Sequence, residues 1–368
     1  MIIGIDGNEA NIEKRVGVGK YGYEVLRQLY KTQNYNLKFE IYLKGEPLSD
    51  LPKETDFWRY KIVGPKKFWT QIGLPFNLFF QKPRSDVFFT PSHYAPRFSP
   101  CPRVISIMDL SFLRYPEMFK AQDLYQLKSW TAYSVAKAAR ILTISKSSKN
   151  DIIKYYQVPE EKVVVTYPGA DGIKDMTDKT DMRKKYGIKG DYILSVGTLQ
   201  PRKNFVRLIE AFSTLGPNSY TLIIVGKKGW LYKEILAAPK KFGVEKKVKF
   251  LDYVPDEDLP ALYQGAKCFV LISLYEGFGL PVLDALKYGV PMVGSNVSSL
   301  PEVMGEAGIL VDPNNVQDIA KGIDKVINDT AIRQELIKKG KEQAAKFSWE
   351  KCGKETLKIL EEVGEKHV

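Results

Sequence analysis

Only three cysteines and two histidines occur among the 368 residues of the chain. Cys101, Cys268 and Cys352 are widely spaced and odd in number, so they make neither a disulfide framework nor a metal motif, as suits a reducing cytosol. Long apolar runs are missing as well: nothing approaches the roughly 18 residues that a membrane-spanning helix needs. The amino terminus, MIIGIDGNEA, has no basic stretch ahead of its apolar residues and soon reaches Asp6, which does not read as a secretion signal. A cytoplasmic protein is expected. Hydrophobic residues at 44% and charged residues at 27% are ordinary globular usage, so disordered, collagen-like and coiled-coil classes fall away. Negative charge is in relative deficit: 55 Lys and Arg against 43 Asp and Glu leave a net charge of +12. Such an excess predicts attraction to a polyanion, whether nucleic acid, a phosphorylated ligand or an anionic membrane, without choosing among them. At about 150 residues per domain, the length points to two domains.

Short apolar runs alternate with helical patterns along the chain. In the first half, strands are expected at Met1 to Asp6, Lys38 to Leu43, Asp86 to Thr90, Arg103 to Met108, Arg140 to Ser145 and Lys162 to Tyr167. A helix from Val18 presents Val18, Tyr21, Gly22, Val25, Leu26 and Leu29 on one face, and further helices fit from about Ala121 to Ala139 and from Ser147 to Tyr156. The polar stretch Tyr167 to Thr180, with Pro168, Gly169 and Gly172, has no periodicity and reads as a linker. The alternation then restarts, with strands at Tyr192 to Gly197, Thr221 to Gly226, Lys247 to Leu251, Cys268 to Ser273, Pro291 to Ser295 and Gly308 to Asp312. Helical stretches close the chain, with breaks near Asp329 and Phe347. Alternation of this kind ordinarily folds as a parallel sheet covered by helices, and the short β-branched strands look buried on both faces. Two doubly wound α/β domains are expected.

Ligands of such sheets bind outside the carboxyl ends of the strands, so the loops after strands matter most. In SVGTLQPRKNFVRLIEAF, Arg202 and Lys203 sit where a helix begins, against the preference of the helix dipole for anions there. A bound phosphate would remove the conflict; two solvated surface cations would also account for the pair. In CFVLISLYEGFGLPVLDALKYG, Pro281 fits the first helical position and would leave the N–H groups of Val282 and Leu283 open. Gly277 and Gly279 permit close approach of a ligand, Glu276 precedes the helix, and Asp284 lies about one turn inside it. A turn followed by a proline-started helix explains the same glycines and proline without a ligand. GVGKYGYEVL brings Gly17 and Gly19 to a helix start but lacks the full glycine spacing of a dinucleotide fingerprint, and a helix-packing glycine fits it equally well.

EGFGLPVLDALKYGVPMVGSNVSSLPEV resembles the signature of retaining, nucleotide-sugar-dependent glycosyltransferases of the GT-B fold, glycosyltransferase family four. VGTLQPRKNFVRLIEAF, IIVGKKGW and FLDYVPDEDLPALYQGAKCFVLIS resemble that family's preceding blocks in the same order, and GVGKYGYEVL and IMDLSFLRYPEMF its amino-terminal blocks. The similarity runs nearly end to end and is greatest to a mannosyltransferase-like group. It implies two Rossmann-like domains facing a cleft: residues 1–170 on the acceptor side, residues 171–347 on the nucleotide-sugar side, and a final helix, 348–368, packed back on the first. By the same resemblance Arg202 and Lys203 hold the donor diphosphate, Gly279 and Leu280 offer backbone N–H groups to it, and Asp284 takes the ribose hydroxyls. The backbone around Val254 contacts the base, and the loop at Gly17 and Gly19 closes over the diphosphate. The catalytic residues implied are Glu276, beside the donor sugar, and Asp109. The resemblance implies no cofactor; the co-substrate is a GDP- or UDP-linked sugar, and the acceptor a saccharide or lipid-linked saccharide in cell-envelope glycan synthesis.

Two positions depart from the family pattern. Asp284 is one methylene shorter than the usual Glu, a difference that a small shift or a bridging water accommodates. Met108 stands where a His-Asp pair is common and can neither donate a hydrogen bond nor exchange a proton. His93, in PSHYAP, follows the preceding strand and either approaches the same cleft or is a capped or partly exposed loop histidine. No metal site is expected: Asp256-Glu257-Asp258 has the spacing of an Asp-x-Asp motif but opens a helix, where acids cap. Glu302, in SSLPEV, recurs in the family block and is equally well explained locally.

KKFWTQIGLPFNLFFQK, from Lys66 to Lys82, interleaves Phe68, Trp69, Leu74, Phe76, Phe79 and Phe80 with basic ends. That composition suits the edge of an anionic bilayer, and it also suits a core-facing helix interrupted by Pro75. The readings set beside a hexosyltransferase are a GT-B sugar-nucleotide epimerase, against which EGFGLP argues, and a nucleotide-sugar-binding protein with lost or reduced activity, which Met108 motivates. No nucleic-acid partner is expected, since only charge speaks for one.

Overall fold

The computed structural model describes residues 1–34, 36–170, 179–216 and 220–367. Contacts divide the chain into two compact units: Met1–Pro116 with Lys120–Gly169 and the segment from Ser348 onward, and Ala170–Phe347 with Glu117–Phe119. Most of the stretch read as a linker, 171–178, lies outside the described residues.

The first unit is built on a parallel sheet of β1 (Ile2–Asp6), β2 (Lys38–Leu43), β3 (Trp58–Ile62), β4 (Val87–Thr90), β5 (Arg103–Ile107), β6 (Arg140–Thr143) and β7 (Val163–Val165). Their order is β3-β2-β1-β4-β5-β6-β7. The central strands are buried on both faces, which is why they read as continuous apolar runs. β3 was not expected. It is an edge strand with only Trp58 buried, and Arg59 and Ile62 face solvent, so no apolar run announces it. β6 ends two residues short of expectation because the Ser145 hydroxyl turns to accept the Ser148 N–H at 3.0 Å, capping the helix Lys146–Tyr156.

The helix Val18–Lys31 buries Tyr21, Gly22, Val25, Leu26 and Leu29, as its periodicity indicated. The helix Trp349–Glu365 packs on it, with the Tyr21 and Trp349 rings 6.1 Å apart and Gly353 pressed against Gln28. The stretch Lys66 to Lys82 forms a π-helical run, Trp69–Gly73, continued by the helix Leu74–Phe80. One side joins the core: Trp69, Leu74 and Leu78 pack with Tyr42, Val63, Phe88 and Cys101, and Trp69 Nε1 donates to the Val63 carbonyl at 2.9 Å. The other side leaves Phe68, Ile72, Phe76, Phe79 and Phe80 exposed. The core-facing reading of this stretch therefore holds for one side, while the other side is left uncovered.

The second unit carries a parallel sheet of β8 (Tyr192–Val196), β9 (Thr221–Val225), β10 (Val248–Leu251), β11 (Cys268–Leu271), β12 (Met292–Ser295) and β13 (Gly308–Val311), in the order β10-β9-β8-β11-β12-β13. The helices Phe205–Thr214 and Val316–Asn328 seal one face, burying Phe205, Leu208, Phe212, Ile319, Ile323 and Val326 against Ile193, Ile224, Val270 and Val293. The helix Leu280–Lys287 packs against Thr330–Ala344. The chain order reverses between β8 and β11, which brings the loops that follow these two strands together.

Candidate functional site

After β8 the chain makes a single turn of 3-10 helix, Pro201–Lys203, and enters the helix Phe205–Thr214 through Asn204, whose φ is 60°. The buried Asn204 side chain holds that strained turn by donating to the carbonyls of Ile272 (3.1 Å) and Pro313 (2.7 Å). The Leu274 N–H donates to the Arg202 carbonyl at 2.9 Å. The loop after β8 is thereby tied to the loop after β11, and Arg202 and Lys203 meet Glu276 across the junction.

Glu276 is 6% exposed and fully engaged. Oε1 accepts from Lys203 Nζ at 2.5 Å and from Ser273 Oγ at 2.6 Å, while Oε2 lies 3.3 Å from Arg202 Nη1. Arg202 Nη1 also donates to the Tyr275 carbonyl. The Glu276 backbone is fixed too: its N–H donates to Ser298 Oγ and its carbonyl accepts from Ser299 Oγ, each at 2.9 Å. Burial alone would raise the carboxyl pKa, but the charges of Lys203 and Arg202 and the hydrogen bonds from Lys203 and Ser273 outweigh it and bring it to about 2. The group is an anion at any working pH. It can accept hydroxyl hydrogens, but it can neither deliver a proton nor serve as an effective base near neutrality.

The helix Leu280–Lys287 begins at this carboxylate. Its cap, Gly279, has φ 99° and ψ 52°, a conformation that favours glycine, and a Cβ there would also displace the end of the Leu300 side chain, 2.6 Å away. This conformation turns the Gly279 carbonyl into the helix, where it accepts the N–H groups of Val282 (2.9 Å) and Leu283 (3.2 Å). The expectation that these two N–H groups stay open is therefore corrected. Asp284 is half-buried one turn into the same helix, and its charge acts on the buried Tyr263 hydroxyl. Val254 follows β10 with its side chain buried between the exposed Tyr253 and the half-buried Pro255.

Asp258 stands at the N-cap of the helix Leu259–Gln264 but makes no capping bond, contrary to expectation. Its carboxylate instead accepts from Lys185 Nζ at 2.7 Å and from the Tyr186 hydroxyl. Among the described residues, no three His, Cys, Asp or Glu side chains gather as a cation site. Glu302 lies in the first turn of the helix Leu300–Met304, favourably placed for the helix dipole.

In the first unit, Asp109 follows β5 and turns the chain by accepting the Ser111 N–H at 2.9 Å. Met108 is buried; its carbonyl accepts from Ser148 Oγ at 2.9 Å and its N–H donates to His93 Nε2 at 3.4 Å. An accepting Nε2 leaves the proton on Nδ1, and burial lowers the His93 pKa against the opposing charge of Asp109. His93 is thus a neutral loop residue tied to the Met108 backbone. Gly17 is exposed at the start of the helix Val18–Lys31 with φ 52°, whereas Gly19 is buried and a Cβ there would lie 2.9 Å from the Glu9 carbonyl. Gly19 is required for packing.

The structure brings together Glu276, Arg202, Lys203 and the Gly279–Leu280 helix start, with Asp284 one turn on. It adds Ser273, Asn204, Ser298 and Ser299, which the sequence reading did not single out. The serine pair lay in view within SSLPEV, but nothing local shows that it holds a loop 22 residues earlier.

Parallel sheets of seven and six strands make up the GT-B fold, and the second carries an anion and two cations at its strand-order reversal. Sucrose-phosphate synthase from Thermosynechococcus elongatus shares the fold, with a TM-score of 0.79 at 17% identity over 98% of each chain. Residues 178–343 match the family model of glycosyl transferases group 1. The O-antigen chain mannosyltransferase B of Escherichia coli is 36% identical over 261 residues, 69% of this chain and 68% of that one. The chain belongs to the group 1 glycosyltransferases. The serotype-specific mannosyltransferase WbdA of Escherichia coli is 34% identical over 230 residues, 58% of this chain, and only 27% of its own length is spanned.

Proposed function

We propose that the protein moves a hexose, mannose in the favoured reading, from a nucleoside diphosphate sugar to a saccharide or lipid-linked acceptor of a cell-envelope glycan, with retention and without a metal. The observation that carries this reading is the buried Glu276 between Lys203 and Arg202 at the head of the Leu280–Lys287 helix. Mannose and the envelope glycan are supported by the names of the mannosyltransferase relatives. Those names do not favour the epimerase or the binding-only reading.

In the proposed reaction the bond between the donor's anomeric carbon and the phosphate oxygen breaks. An acceptor hydroxyl oxygen bonds to that carbon, and its proton passes to the departing phosphate. Lys203 and Arg202 neutralise the charge that grows on the diphosphate, an electrostatic contribution of the kind that often dominates a barrier. They share their charge with Glu276, so two cations on one anion keep a net attraction for the leaving group. Glu276, fixed by Ser273, Ser298 and Ser299, accepts hydroxyls of the donor sugar and favours positive charge developing on the ring. Gly279 and Leu280 address the diphosphate, Asp284 the ribose, and the backbone at Val254 the base. Asp109 shapes the loop after β5, and the Gly17 loop bounds the acceptor side.

The acceptor is met at the inner face of an anionic membrane. The exposed side of the Phe68–Phe80 stretch supports this: its aromatics are flanked by exposed Lys66, Lys67, Lys82 and Arg84, and no acidic residue occurs from 57 through 85.

A panel of GDP- and UDP-linked sugars in thermal-shift and hydrolysis assays tests the core of the reading. At least one donor is expected to stabilise the protein, and Lys203→Ala to weaken that effect. No stabilisation by any donor defeats the proposal.

A further inference from the structure

At the carboxyl end of β1, Asp6 is 7% exposed, and nothing in the donor chemistry uses it. The strand order of the first sheet reverses at β1, with β2 on one side and β4 on the other, and parallel α/β sheets open a crevice outside the strand ends at such a point. Register pairs Gly4 with Phe88, and a Cβ on Gly4 would meet the Phe88 ring at 2.7 Å. Two residues further along each strand, Asp6 and Thr90 therefore share that same face.

Asn8 holds one oxygen of Asp6: its backbone N–H (3.1 Å) and its Nδ2 (2.7 Å) both donate to Oδ1. Among the described residues, Oδ2 accepts no hydrogen bond. Thr90 Oγ1 is buried and also has no partner among the described residues. Buried polar groups left unsatisfied are uncommon and require an explanation. One lone carboxylate near Lys44 makes a poor cation site, whereas a carboxylate beside a hydroxyl suits the vicinal hydroxyls of a sugar. The same face is covered by the stretch Trp69–Phe80, which packs on Tyr42 and Phe88 and exposes aromatics on its outer side.

We propose that Asp6 and Thr90 form a hydroxyl-binding site for the acceptor sugar at the β1/β4 strand ends, beside the face that meets the membrane. The assignment rests on the transferase reading above. Burial pushes the Asp6 carboxyl up to about 6, despite the Asn8 bonds and Lys44, with Glu9 adding to the rise. It therefore gains its charge within the working range, and acceptor binding strengthens as pH rises through that value.

The test uses the full chain, its Asp6→Asn and Thr90→Val variants, and the donor that the panel identifies. Donor hydrolysis without acceptor is measured separately from transfer to methyl α-mannoside, mannobiose and the matching glucosides. Asp6→Asn is expected to raise the acceptor KM about tenfold or more and Thr90→Val about threefold, with donor hydrolysis within about twofold of wild type. The pH dependence of the acceptor KM is expected to vanish in Asp6→Asn, which a purely structural role would not produce. An unchanged acceptor KM, or transfer and hydrolysis falling together, overturns the assignment. So does a wild type that hydrolyses donor but takes none of these saccharides. If no donor binds or is hydrolysed, the transferase reading itself has failed and this assignment falls with it.

Discussion

Glu276→Gln separates the structural from the chemical work of the cluster. Glutamine keeps the shape and one accepting oxygen but removes the charge that sits between Lys203 Nζ at 2.5 Å and Arg202 Nη1 at 3.3 Å. Moving the carboxyl from its ordinary 4.5 to about 2 corresponds to about 3 kcal/mol of interaction in the folded protein. Removing one member of a buried ion pair typically costs about 3–5 kcal/mol, because the remaining charge stays buried without compensation. Together these figures predict a second unit that melts roughly 6–20 °C lower, at about 2–4 °C per kcal/mol for a unit of this size. The effect depends on pH in a defined direction. The folded pKa lies below the unfolded one, so the stabilisation is complete above about pH 4.5 and is lost as pH falls toward 2. Wild type and variant should therefore converge in acid.

The two exposed roles of the cations then become visible with a ligand. A nucleoside diphosphate no longer competes with the carboxylate for Lys203 and Arg202, so it should raise the melting temperature of Glu276→Gln more than that of wild type. Sugar transfer should fall by about 100-fold or more, the usual consequence of deleting a group that stabilises transition-state charge. Calorimetry of both proteins, with and without GDP or UDP, checks this pattern. A variant as stable as wild type at pH 7, or one stabilised less by the diphosphate, would refute the assignment of the cations to the leaving group.

Membrane docking predicts that the protein sediments with liposomes rich in anionic lipid and less with neutral ones, and that Phe76→Glu with Phe80→Glu abolishes the difference while melting is unchanged; those rings are 65% and 70% exposed. Equal binding to both lipids would sink the reading. In the first unit, a Cβ at Gly353 would lie 2.4 Å from the Gln28 Cβ, so Gly353→Leu should force the terminal helix off its neighbour and cost about 3 kcal/mol by denaturant titration.

Elements whose signal is local were legible in the sequence. The buried strands of both sheets announce themselves as apolar runs, and the face of Val18–Lys31 follows from its spacing. β3 did not, because an edge strand with one buried residue has the composition of a loop. The candidate residues Arg202, Lys203 and Glu276 could be picked out one by one in the sequence, but their meeting could not. Glu276 and Lys203 are 73 positions apart and meet only because β8 lies beside β11, a neighbour relation that strand number does not reveal. The same limit explains the two local corrections. An open N–H at Val282 is what a proline-started helix implies, until a left-handed Gly279 supplies its carbonyl. A cap is what Asp258 implies, until Lys185 and Tyr186 claim the carboxylate from another segment. Total charge is the least informative quantity for the same reason. The net +12 is set mostly by exposed lysines, whereas the two cations assigned to the chemistry are held against a buried anion. What a diphosphate would meet at that site is decided by Glu276, a residue that lowers the net charge and raises the order of the groups around it.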